Sequence, residues 1–472
     1  MAKKALGLDR DGIQKVMRAG DYFGDAAGQF ALNLGVTLIG QITYFYTDKV
    51  GLAAGAVATV LLLSKIIDAF TDLIMGNIVD HTAPGKQKYR PWFLKAGIPM
   101  GIATVLLFLV PKGEGWLPIL YALATNVLLT AVFYTAVAIP YGSLMAVRTN
   151  SQEERGFMGT CRAALGYIAG FIQAILIIPI TNAMGGNQAA WIKYSVIIGA
   201  IIILAMVVAF VTSRESATEA GAEDLPAADE EKIPFRQAIE KLFHNRYWVI
   251  VLVVNLLCNI MYGITAGAGT FYCKWIFGND NLVAVLGGVG LIPTFLGFGL
   301  LTPMIKKFGI VKTLKISLII GIIGEGLLLV FRNQFIGYMI FGCMGSFALI
   351  PVMALGGVLT TMAIDYNEYK YGVKMVATSN SASSFGAKVG GGIGGSVIGW
   401  ALAAVGYNSK LAVAPLATKM AIYGFSIVIP LLALIVMFVL LSRFDLEEKL
   451  PQMRQEIADR KEKGCISSFE QA

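Results

Sequence analysis

The chain has 472 residues, of which 56% are hydrophobic and only 14% charged, and its mean hydropathy is +0.68. Soluble chains carry roughly 25% charged residues, so this apolar excess requires lipid as a solvent. It excludes a secreted disulfide scaffold, a disordered chain and an ordinary cytosolic enzyme. The net charge of +8 would suit nucleic acid in a soluble domain; here the basic residues lie between apolar stretches, so they read as topology signals and imply no nucleic-acid partner.

The first residues, MAKKALGLDRDGIQKVMRAGD, show no apolar run ahead of a small-residue cleavage site, so residues 1–25 read as a cytoplasmic tail rather than a signal peptide. A transmembrane helix needs about 20 largely apolar residues. Twelve such spans follow, near 26–47, 53–79, 92–110, 117–146, 163–184, 191–212, 247–271, 282–305, 313–331, 335–363, 377–405 and 417–442. Lys and Arg concentrate in the loops that lie on one side when the span count is even, which places both termini in the cytoplasm. The segment 213–246 divides the spans six and six. Its first part, SRESATEAGAEDLPAADEEK, is acidic and reads as disordered. Its second part places Phe235, Ile239, Leu242 and Phe243 on one helical face, the pattern of an amphipathic helix at a membrane surface. The expectation is an all-α membrane protein of twelve transmembrane helices in two six-helix bundles, 26–212 and 247–442, with a charged cytoplasmic tail at 443–472. Five cysteines without a CxxC pair and only two histidines, His81 and His244, argue against a zinc site or a His-based triad. No enzyme activity and no cofactor are expected.

Ionisable groups inside a span cost about 2.5–3.5 kcal/mol each on insertion scales and mark functional sites by default. Span 2, in SKIIDAFTDLIMG, carries Lys65, Asp68 and Asp72. The two aspartates are four residues apart and share a helical face; they repel unless a cation or proton joins them. Hard oxygen ligands of this kind suit Na⁺ or H⁺, so Asp68 and Asp72 are the metal ligands if coupling is to Na⁺. The alternative is a permanent salt-bridge cluster with Lys65 and Lys388. Lys388 of span 11, among small residues, should face a cavity, where it bonds sugar hydroxyls, couples to the aspartates or serves as a plain counter-ion. Glu325 in span 9 has no evident partner and reads as a protonated or peripheral acid. Tyr44, Phe45, Phe133, Tyr134, Trp275 and Trp400 can stack on sugar rings, although such residues more often pack or anchor. The run KQKYRPW at 86–92 reads as a topology anchor.

The motifs FYTDKVGL (45–52), DAFTDLIMGNIVDHT (68–82), KYRPW (88–92), IPYGSL (139–144) and DYNEYKYG (365–372) resemble the glycoside–pentoside–hexuronide:cation symporters, the branch of the major facilitator superfamily that contains the melibiose permease. The resemblance covers nearly the whole chain in order. It implies the major facilitator fold, a bacterial inner (plasma) membrane, and symport of a small-molecule sugar or glycoside with H⁺ or Na⁺ by alternating access. It places the cation at Asp68 and Asp72, aligns Lys65 with the family's preceding basic residue, and sets Thr71 where melibiose-type members have Asn, so that Thr71 is expected to add a cation-binding oxygen. It matches Tyr134 to a sugar-contacting Tyr and Thr135 to a cation-site Thr. Arg162 and Lys388 match the basic residues of spans 5 and 11, which gives Tyr134, Arg162 and Lys388 as the substrate set and Lys65 and Lys388 as ion-pair partners. In departure, Ala138 stands where melibiose-type members have a third acid and Gly142 where they have a Trp. The span 1 acid of that type has no clear counterpart near Leu32 and Asn33, while Asp21 and Asp25 lie further out. The missing acid weakens metal affinity more than protonation and so favours H⁺. A lipid or lysolipid transporter of the same superfamily and a non-transporting membrane sensor are the alternatives.

Overall fold

The computed structural model describes residues 7–8, 14–80, 89–113, 115–149, 151–214, 235–372, 376–453 and 455–456. The acidic stretch 215–234, the loop residues Lys86, Gln87 and Lys88, His81 and the tail beyond 456 lie outside the described residues. Within them the chain is helical and without strands. The helices are α1 (Ala19–Gly40), α2 (Ala54–Asp80), α3 (Gly97–Leu106), α4 (Trp116–Val127), α5 (Thr135–Arg148), α6 (Gln152–Ala183) and α7 (Gln188–Thr212). They continue with α8 (Phe235–Phe243), α9 (Arg246–Trp275), α10 (Leu282–Val289), α11 (Leu291–Phe308), α12 (Ile310–Phe331), α13 (Phe335–Tyr371), α14 (Val376–Ala404), α15 (Leu416–Tyr423) and α16 (Ile429–Ser442). Among the described residues nine helical stretches are long and apolar enough to cross a membrane. They fall at nine of the twelve expected spans. The other three positions are helical too, as α1, α3 and α14: α3 is short, α1 carries Asp21 and Asp25, and α14 is diluted by Gly and Ser.

Contacts divide the chain into two compact units. The first comprises 1–223, 264–288 and 395–422; the second comprises 224–263, 289–394 and 423–472. One boundary falls at 223/224, inside the linker, and others fall within α9 and α14.

In the first unit, α3 and α7 touch backbone to backbone. A Cβ on Gly199 would lie 2.6 Å from the Gly101 carbonyl oxygen, so the crossing requires glycine, as membrane helix interfaces favour. The ends of α9 and α14 join by similar contacts. Gln41 Nε2 donates to the Ala266 carbonyl at 3.0 Å and Thr270 Oγ1 donates to Gln41 Oε1 at 2.7 Å. A Cβ on Gly399 would meet the Ala54 carbonyl at 2.6 Å. Asp48, from the FYTD motif, is 1% exposed and pairs with Lys274, while Tyr407 donates to it at 2.8 Å. Burial, and then the Asp48 charge, push the Tyr407 phenol far above its usual range, so it acts as a neutral donor. Tyr44 and Phe45 are buried in an aromatic cluster with Phe108, Trp191 and Phe271 and serve packing. Trp275 donates its Nε1–H to Tyr407 at 2.8 Å.

The basic loop residues have defined partners. Arg90 Nε donates to the Phe210 carbonyl at 2.6 Å, and Arg148 donates to the Thr212 and Arg214 carbonyls at 3.0 and 2.9 Å. Both therefore satisfy the orphan carbonyls and the negative dipole end of α7. Arg90 of the KYRPW run is thus a helix cap.

In the second unit, α12 and α13 pack through small residues, with Gly321 against Ala348 and Gly324 against Met344. Leu242 of the amphipathic α8 is buried in this unit's core, whereas Phe243 beside it stays exposed. Asn245 Nδ2 donates to Asn367 of the DYNEYKYG motif at 2.7 Å and to the Ala363 carbonyl at 3.0 Å. Glu325 is buried opposite Gly345, and its Oε2 has no hydrogen-bond partner among the described residues.

Candidate functional site

The site starts from one face of α2. Ser64, Asp68 and Asp72 follow at intervals of four and stack on a single stripe. Ser64 and Asp68 are buried. A carboxylate in that position must find partners, because an unsatisfied buried charge is among the costliest groups in a fold.

The partners come from the next long span. Between α4 and α5 the helix widens into a π turn over Leu128–Tyr134. Such a turn adds one residue, and it is frequent at functional sites. Its consequence here is geometric. Asn126 and Thr130 lie on the face toward α2, and a regular helix would bring position 134 onto that face next. With the extra residue, Thr135 arrives instead. Its Oγ1 is 3.1 Å from Asp68 Oδ1 and 3.0 Å from Asp72 Oδ1, so one hydroxyl stands between two acids. The same Oγ1 lies 3.3 Å from the Thr130 carbonyl, five residues back. One turn back along α2, Ser64 Oγ donates to Asn126 Oδ1 at 2.6 Å and sits 3.2 Å from Thr130 Oγ1.

Lys65 Nζ is 3.3 Å from Asp68 Oδ2, with a third of its side chain exposed. The two acids, Thr135 and Lys65 are therefore brought together. Thr71 turns away: its hydroxyl donates to the Asp68 carbonyl at 3.0 Å rather than to a carboxylate. Tyr134 is partly buried at the last position of the π turn. Lys388 lies partly buried on α14, in the second compact unit.

Arg162 is held by a partner that sequence reasoning left unassigned. Its Nε and Nη2 donate to Asp25 at 2.6 and 2.9 Å, a bidentate pair in which Asp25 is fully buried. Its Nη1 donates to the Tyr141 carbonyl at 3.1 Å, and the guanidinium lies 3.8 Å from the centre of the Tyr141 ring. Tyr141 OH donates in turn to the Asp25 carbonyl at 2.9 Å. In this conformation Arg162 therefore ties α1, α5 and α6 together.

Sequence reading also missed Ser64, Asn126 and Thr130. The four-residue spacing of Ser64 from Asp68 was a usable signal. Thr130 was hidden, because its spacing of five to Thr135 matches no regular helical repeat.

The chemistry of the set is that of hard, anionic oxygens in a largely buried seam, suited to a proton or a small monovalent cation. A family model described as MFS/sugar transport protein matches residues 24–448. The chain belongs to that family. It is therefore a membrane transporter of the major facilitator type, not an enzyme. It is 27% identical to the isoprimeverose transporter of Lactiplantibacillus pentosus, over 82% of this chain and 80% of that one. It is also 27% identical to the glucuronide carrier protein homolog of Escherichia coli (strain K12), over 81% of this chain and 82% of that one. Among solved structures, a bacterial homologue of the human lysosomal transporter Spinster superposes with a TM-score of 0.67, covering 92% of this chain and 99% of that one at 14% identity. At that identity the likeness concerns the fold alone.

Proposed function

We propose that this family member is a symporter that brings a glycoside, pentoside or hexuronide into the cell with a cation loaded at Asp68 and Asp72. The single observation that carries the reading is the Thr135 hydroxyl seated within hydrogen-bond reach of both carboxylates. Unloaded, the two acids repel across one shared hydroxyl, and Lys65 steadies Asp68. A bound proton or Na⁺ removes that repulsion. Sugar binding and cation loading then favour each other by linkage, and the loaded protein reorients. Tyr134 and Lys388 are the proposed sugar-bonding groups. Arg162, which is engaged by Asp25, is proposed to set the position of α1 against α6. The neutral Ala138 on α5 leaves two acids in the set, which favours H⁺ over Na⁺ as the driving ion.

The test is uptake of a panel of labelled glycosides into membrane vesicles, with proton and sodium gradients imposed separately. Asp68→Asn and Asp72→Asn should each abolish uphill accumulation while the protein still reaches the membrane and exchanges sugar down its gradient. Full concentrative uptake by both variants removes the coupling claim.

A further inference from the structure

The polar seam does not end at the acids. Asn126, Ser64 and Thr130 are each at most 2% exposed. They form a rung of side-chain contacts one helical turn from the acid pair, toward the Ala54 end of α2. One amide atom of Asn126, Nδ2, is buried with no hydrogen-bond partner among the described residues. Buried polar groups in an apolar seam persist against a cost unless they do something apolar packing cannot. This rung holds the π turn. Ser64 contacts Asn126 before the turn and Thr130 at its start, so it fixes where the extra residue is accommodated and therefore where Thr135 points.

The π turn supplies one more feature. Thr135 Oγ1 carries a single proton and has three acceptors in reach: Asp68, Asp72 and the Thr130 carbonyl. We propose that Thr135 is a two-position hydroxyl switch and that Ser64, with Asn126 and Thr130, is its positioning device. With the acids empty, the hydroxyl proton points to a carboxylate. When a cation binds, the oxygen must face it with a lone pair, as a ligand to Na⁺ or as the acceptor for a protonated carboxyl. The hydroxyl proton then rotates to the Thr130 carbonyl. No covalent bond changes; the step is one rotation about Cβ–Oγ1. The π turn sets this carbonyl, five residues back, on the face of the hydroxyl, and a carbonyl's second lone pair can accept it alongside a backbone N–H. The inference rests on the reading of Asp68 and Asp72 as the cation site, and it extends the coupling machinery to residues outside the acid set.

The experiment is a mutant cycle read by cation dependence. Uptake is measured against external pH and against Na⁺, with energy-independent sugar counterflow as the control for folding and sugar binding. Ser64→Ala should move the half-activating cation level by about three- to tenfold, the scale of one lost buried hydrogen bond, in the same direction as Thr135→Val. Ser64→Thr should restore the parent value. In the double variant, Ser64→Ala should add no further shift, because it acts through a hydroxyl that is gone. Thr130→Val gives a second route to the same shift should Ser64→Ala fail to insert. Parent-like cation dependence in both single variants overturns the proposal, as do additive shifts in the double variant or a uniform loss of counterflow that Ser64→Thr does not rescue. Asp68→Asn, run alongside, separates the failures: if it still accumulates sugar fully, the underlying cation site is wrong, whereas if it is uncoupled while Ser64→Ala behaves as parent, only the switch is.

Discussion

Replacing Thr135 by Val preserves shape and removes the hydroxyl, and the sign of the outcome identifies the coupling ion. In the empty site the hydroxyl donates to a carboxylate, a charge-assisted bond worth about 1.5–3 kcal/mol. In the proton-loaded site the carboxyl donates to Thr135 and Thr135 donates to the Thr130 carbonyl, a pair of neutral bonds worth about 1 kcal/mol each at most. The hydroxyl's single proton cannot serve both acceptors 3.0 and 3.1 Å away at once, so the empty state gains one bond only. Val therefore costs the empty state, which loses a charge-assisted bond, somewhat more than the proton-loaded state, by up to about 1 kcal/mol. A proton-coupled carrier should move its half-activating pH upward, by up to about one unit. A sodium-coupled carrier loses a direct oxygen ligand, and its half-activating Na⁺ should rise about tenfold or more. Uptake into vesicles with each gradient imposed separately distinguishes the two, and Thr135→Ser should behave as parent in either. If Thr135→Val changes neither accumulation nor the pH and Na⁺ curves, the hydroxyl between the acids is structural and the site argument fails at its centre.

Two further predictions concern groups buried away from the acids. Arg162→Met leaves Asp25 fully buried without its bidentate partner; breaking such a pair costs about 3–5 kcal/mol, so thermal unfolding in detergent should drop sharply, and Asp25→Asn combined with Arg162→Met should recover part of the loss. A double variant no more stable than Arg162→Met would show that the pair does more than balance charge. Glu325, with one buried oxygen unpartnered against Gly345, should tolerate Leu: removing an unsatisfied polar group at similar volume is neutral or stabilising, so uptake should be retained with an equal or higher melting temperature. Loss of coupled uptake in a folded Glu325→Leu variant would assign the residue a transport role.

The aspartates of α2 announce themselves because a carboxylate in an apolar run has few innocuous explanations, and their separation by one turn follows from helix geometry alone. The spans were legible for the same reason: twenty apolar residues have one solvent. What the linear pattern could not give was any feature that depends on an irregular turn or on distant partners. Thr130 reaches Thr135 only because the helix widens between them, a change that no three-to-four periodicity encodes. Asp25 fell at the end of the expected cytoplasmic tail, yet it is fully buried against an arginine 137 positions away. Arg90 and Arg148 read as charge bias, and it took the folded chain to set them on the open carbonyls of α7. Composition and period decide where a chain is buried, since burial is a property of each segment. Which buried groups meet is decided by packing, since a hydrogen bond needs two surfaces placed to within a few tenths of an ångström.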